Sequence, residues 1–92
     1  MTSYEFEVCA KNAIIAAIGK HYGEQYSIHD IHMTMFSHVL GNKKCLAIDS
    51  GFNNRYYEVT YNAREGEMYV DIYEKKHNDV VQGQNFDFTV HD

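Results

Sequence analysis

The segment Arg55–Glu74, RYYEVTYNAREGEMYVDIYE, constrains the fold more than any other part of the chain. Two alternating runs flank Ala63-Arg64-Glu65-Gly66, the pattern of a β-hairpin closed by a four-residue loop. Strand side chains alternate with period two, so Tyr57, Val59 and Tyr61 share a face, and Met68, Val70 and Ile72 meet them from the second strand. The opposite face carries Tyr56, Glu58 and Thr60 beside Tyr69, Asp71 and Tyr73. One side reads as core; the other is polar but rich in rings.

Upstream, Thr2-x-x-Glu5 spells a capping box for a helix start, with Ser3 as an alternative N-cap. Phe6, Cys9, Ala10, Ala13, Ile14, Ala17 and Ile18 then repeat at helical spacing, and Gly23 stands where a left-handed cap ends a helix. The expected helix runs from about 3 to 22. Its apolar side is rich in alanine, which suits close packing on a sheet. Val8 and Ile15 lie off that side, seven residues apart and flanked by Tyr4, Lys11 and Tyr22. They read either as a widening of the buried face or as a contact with a second chain.

Strands are expected at about 28–40, 43–50, 55–62 and 67–75, joined by turns at Gly41-Asn42, at Gly51–Asn54 and at Ala63–Gly66. The first is long enough to require a bulge or an irregular start. Placing Leu40 opposite Lys43, Ser50 opposite Arg55 and Asn62 opposite Glu67 gives two inward rows: Met35, Ile48, Tyr57, Ile72 and Ser37, Leu46, Val59, Val70. The same register puts Phe36, Ala47, Glu58 and Asp71 outward in one row, His38, Cys45, Thr60 and Tyr69 in the next, and Thr34, Asp49, Tyr56 and Tyr73 in a third. The predicted architecture is α+β: one N-terminal helix packed on a four-stranded antiparallel meander, a single domain over residues 1–92. Phe86, Phe88 and Val90 alternate with polar residues, so 86–90 is a possible fifth edge strand, in this chain or on a neighbour.

Composition narrows the function classes. A formal charge of −5 with scattered basic residues argues against a nucleic-acid partner. No apolar run is long enough to span a bilayer, and the N-terminus lacks a signal-peptide pattern, so the expected location is the cytoplasm. Cys9 and Cys45 read as reduced structural thiols. His29, Asp30 and His32 supply too few ligands on one strand face for a metal site, and no glycine loop cradles a phosphate or cofactor. His38 beside Cys45 lacks a third orienting group, and Glu58 with Asp71 would be a solvated carboxylate pair. No metal, cofactor or catalytic residue is expected. The interaction candidates are Phe36, His38, Tyr56, Tyr69 and Tyr73 on the outer sheet face, with Val8 and Ile15 on the helix. The reading is a non-enzymatic module that binds a protein partner or a second copy of itself. The alternative is a small-ligand domain with its pocket between helix and sheet.

The order of helix and strands, with Ala13 to Ile18, YYEV at Tyr56 to Val59 and YVDIYEKKHNDVV at Tyr69 to Val81, resembles PepSY-type domains. A helix against an antiparallel sheet is also similar to the cystatin architecture, and His38-Val39-Leu40-Gly41 falls where cystatins carry a protease-binding loop. Both resemblances imply an interaction or inhibitory module, of which a protease-inhibitor-like role is one form.

Overall fold

The computed structural model describes residues 1–51, 53–77, 79 and 80. Helix α1 spans Ser3–Tyr22, and strands β1 (Ile31–Val39), β2 (Asn42–Asp49), β3 (Arg55–Asn62) and β4 (Glu67–Glu74) form one antiparallel sheet in sequence order. The architecture is the expected α+β meander with the helix on one face. The possible strand at 86–90 lies outside the described residues.

The helix begins as its sequence dictates. Thr2 is the N-cap: its hydroxyl accepts from the Glu5 amide at 3.1 Å, and the Glu5 carboxylate accepts from the Thr2 amide at 3.3 Å. Gly23 closes it at φ 69°, a left-handed cap that costs glycine little. Phe6, Ala10, Ile14 and Ile18 are buried, one residue per turn, against Ile31, Cys45, Ala47, Tyr57 and Val59 of the sheet. Cys9, read as part of the apolar face, is exposed.

Residues 28–30, expected as strand, form a short 3₁₀ turn. Ser27 and Asp30 cap one another, and Asp30 then holds the end of β2, accepting from the Ser50 amide at 3.0 Å and the Ser50 hydroxyl at 3.2 Å.

The β3–β4 hairpin has the expected register, Asn62 opposite Glu67 and Tyr57 opposite Ile72. The β1–β2 hairpin does not. Its turn is Leu40-Gly41, with Val39 opposite Asn42, and both turn residues have positive φ, 53° and 83°. Asn42 is thereby free to accept from the Ala63 amide at 3.0 Å, tying this turn to the β3–β4 turn. A bulge at Thr34, between Met33 opposite Ala47 and Met35 opposite Leu46, then reverses which residues face inward. The Thr34 hydroxyl donates to the Leu46 carbonyl at 3.2 Å and fastens the bulge.

Between β2 and β3 the pairing is Cys45 opposite Val59 and Ala47 opposite Tyr57, one residue away from the expected register. A slip of one turns every side chain of a strand over. Lys43, Cys45, Ala47 and Asp49 therefore face the helix, while Leu46 and Ile48 face away. Ile48, placed in the core by the sequence pattern, is 43% exposed, and Cys45, Ala47 and Asp49, placed outside, are buried.

Candidate interaction surface

Among the described residues the sheet has a covered face and an open one. The open face carries His32, Met35, Ser37 and Val39 from β1 and Lys44, Leu46 and Ile48 from β2. From β3 come Tyr56, Glu58 and Thr60, and from β4 Glu67, Tyr69, Asp71 and Tyr73. Met35 is 48% exposed, and Val39, Tyr56, Tyr69 and Tyr73 are exposed as well. Tyr56 and Tyr73 are cross-strand partners with rings stacked at 4.9 Å and 12°. The Glu58 carboxylate, then burial and Asp71, hold the Tyr73 phenol above its ordinary pKa, so this ring stays a neutral hydroxyl donor. Glu58 also lies 3.7 Å from Lys44.

The three tyrosines stand where the alternation places them. Phe36 and His38 do not join them, because the Thr34 bulge turns them to the helix side. The Phe36 ring lies 5.6 Å from that of Phe6, and the Lys43 ammonium sits 3.3 Å from His38 Nε2. His38 faces Lys43 across the ladder and Cys45 faces Phe36, so the paired His–Cys arrangement is not formed. Burial pushes the Cys45 thiol pKa up, which keeps it protonated and unreactive. Ile15 packs against the core and Val8 is half-buried, so the two do not make an open stripe. Val8 instead lines a groove of about 330 Å³ beside Tyr4, Glu7, Lys11, Ile28 and His29, and a Glu7–Lys11 ion pair of 3.1 Å runs along its helix wall.

Met35, Ser37, Leu46 and Ile48 are open-face residues that alternation alone assigns to the core. Two signals in the sequence point the other way. Asp49-x-Gly51 is an Asx-turn pattern, and the Asp49 carboxylate accepts from the Gly51 amide at 2.8 Å, which draws Asp49 inward at the end of β2. In addition, the small residues Cys45 and Ala47 fit beside the bulky inward Tyr57 and Val59, as a close-packed layer requires.

Asp49 is the centre of a buried polar cluster on the helix side. Its side chain has no exposed surface and accepts from the Tyr57 hydroxyl, the Gly51 amide and Asn53 Nδ2, the last at 2.8 Å. A Cβ on Gly51 would collide with the Tyr26 hydroxyl and lie 3.0 Å from Asp49 Oδ1, so a side chain there has to displace the Tyr26 ring from the cluster. Arg55, with a side chain only 7% exposed, lies 3.7 Å from Asp49, bonds Glu24 at 2.5 Å and stacks its guanidinium 3.9 Å from the Tyr22 ring centre. Burial pushes the Asp49 carboxyl pKa up, but the hydrogen bonds from Tyr57, Asn53 and Gly51 and the charge of Arg55 outweigh it and leave it below the ordinary range. Burial and the bond to Asp49 raise the Tyr57 phenol far above its ordinary value. Among the described residues Arg55 Nε is the buried side-chain polar atom left without a partner. The cluster clamps the end of α1 to the sheet.

Among the described residues no three His, Cys, Asp or Glu side chains come together as a metal site, and no helix is long and apolar enough to cross a membrane. Residues 7–83 match the family of unknown function DUF6275, and the chain belongs to that family. No curated protein and no solved structure matches the chain.

Proposed function

We propose that this family member is a non-enzymatic protein-interaction or regulatory module whose open sheet face is covered by another protein surface in its working state. One observation carries the reading: aliphatic and aromatic side chains from all four strands stand half exposed on a single continuous face, while the helix occupies only the other. Isolated apolar residues are ordinary on a protein surface, but a contiguous patch of this extent marks an interaction site. Tyrosine suits such a surface because it adds contact area at small cost in side-chain entropy. Two free thiols fit a reducing compartment, which supports a cytoplasmic location. The small-ligand alternative is supported by the groove beside Val8.

The test is site-specific photo-cross-linking in cells, with a photoreactive phenylalanine analogue at Tyr56 and, separately, at Asn12 on the exposed side of the helix. Discrete adducts from position 56 and none from position 12 are expected. If position 56 yields no adduct, the face is bare in the cell and the reading fails.

A further inference from the structure

The open face is not only exposed but divided. Its aliphatic side chains, Met35, Val39, Leu46 and Ile48, all stand on β1 and β2, together with Lys44 and His32. Its rings, Tyr56, Tyr69 and Tyr73, all stand on β3 and β4, together with Glu58, Glu67 and Asp71. Within these strands the β1–β2 half of the face bears no carboxylate, and the β3–β4 half bears no base. Glu58 and Asp71 are direct cross-strand partners, and like charges so placed weaken a sheet. Within the chain, Lys44 at 3.7 Å from Glu58 is what offsets them.

We infer that the occupant of this face is a second copy of the same chain, stacked face to face about a two-fold axis that runs along the strands between β2 and β3. The inference rests on the interaction reading above and names the partner. A two-fold contact uses the same patch twice and must be complementary to itself. The stated axis lays β1 and β2 of one copy over β4 and β3 of the other. Aliphatic side chains then meet rings, and each Lys44 reaches the carboxylates of the opposite copy. An axis across the strands would instead set Glu58 and Asp71 against their own copies.

Two further features favour the face over the edges of the sheet. Pairing β4 with β4 would crowd Glu67, Asp71 and Glu74 against themselves, and β1 is distorted by the Thr34 bulge, a feature that blunts an edge. The size is also right. Four strands of about eight residues, at ~4.8 Å spacing and ~3.3 Å rise, give a face of roughly 500 Å² in projection. With the relief of its side chains this approaches the ~800 Å² per partner of a standard interface.

Sedimentation of the full chain across the micromolar range tests the inference. The wild type is expected to form a dimer, and Ile48→Asp to be monomeric with an unchanged circular dichroism spectrum. Lys44→Glu is expected to weaken the dimer at least about tenfold, as is the double change Glu58→Lys with Asp71→Lys. Mixed in equal amounts, these two charge variants should recover a one-to-one heterodimer. A monomeric wild type, a dimer indifferent to Ile48→Asp, or charge variants that do not restore one another would overturn it. The cross-linking experiment separates the two levels: an adduct of some mass other than twice the chain rejects the second copy and keeps the interaction role, while no adduct rejects both.

Discussion

The two outer hairpins are built from similar material and differ in how far alternation governs them. In β3–β4, the inward residues Tyr57, Val59, Met68, Val70 and Ile72 are apolar, and Glu58, Thr60 and Asp71 alternate with them on the other side. In β2 the two sets are inverted: the inward side chains Lys43, Cys45, Ala47 and Asp49 are on balance less apolar than the outward Leu46 and Ile48. The difference teaches that burial follows the space beside Tyr57 and the partners that Asp49 finds, and not hydrophobicity residue by residue.

The largest effect that sharpens this comparison is expected at Asp49. Asp49→Ala removes the acceptor of Tyr57, Gly51 and Asn53 and leaves Arg55 with Glu24 alone, so a loss of about 3 kcal/mol is expected in urea unfolding. A loss well under 1 kcal/mol would mean that β2 does not end inward. The same residue sets an acid limb. Its folded pKa lies below the unfolded value of about 3.9, so its contribution is present above that pH and disappears as pH falls through the folded value. The unfolding free energy of Asp49→Asn should therefore fall less steeply between about pH 4 and pH 2 than that of the wild type.

Next in size is a reciprocal pair at the centre of β2. Ala47→Leu overfills the layer beside Tyr57 and should cost about 1–3 kcal/mol, whereas Ile48→Ala, on the open face, should cost under about 1 kcal/mol measured at a concentration where the chain is monomeric. The opposite ranking would restore the register that alternation suggests and break the comparison. The smallest effect has the other sign. Leu40 is 96% exposed at φ 53°, a conformation that asparagine tolerates better, so Leu40→Asn should raise the melting temperature by an amount equivalent to about 1 kcal/mol or less. A fall in melting temperature would show that the turn does not sit at Leu40-Gly41.

Much of this architecture is legible in the sequence. The Thr2/Glu5 capping box, Gly23 and the buried turn residues Phe6, Ala10, Ile14 and Ile18 mark the helix because each acts locally. The Ala63–Gly66 loop is equally local, so alternation alone sets Tyr56, Tyr69 and Tyr73 on one face of the β3–β4 hairpin. The β1–β2 half was not legible, since its register depends on contacts distant in sequence. Asn42 chooses the turn by reaching Ala63, and Thr34 adds a residue whose bulge turns Phe36 and His38 over. Alternation carries such a displacement along a strand: the Thr34 bulge turns Met35 outward on β1, and the one-residue slip against β3 turns Leu46 and Ile48 outward on β2.

The connectivity of the sheet also has a kinetic meaning. Among the described residues each strand pairs only with its neighbours in the chain, so the four-stranded meander can assemble from three hairpins without closing a long loop. The helix end must be recaptured over far greater separations, 31 residues from Glu24 to Arg55 and 52 from Tyr22 to Glu74. A folding chain should therefore acquire its sheet first and its clamp last, so that loosening Arg55 hastens unfolding and leaves the folding rate almost unchanged.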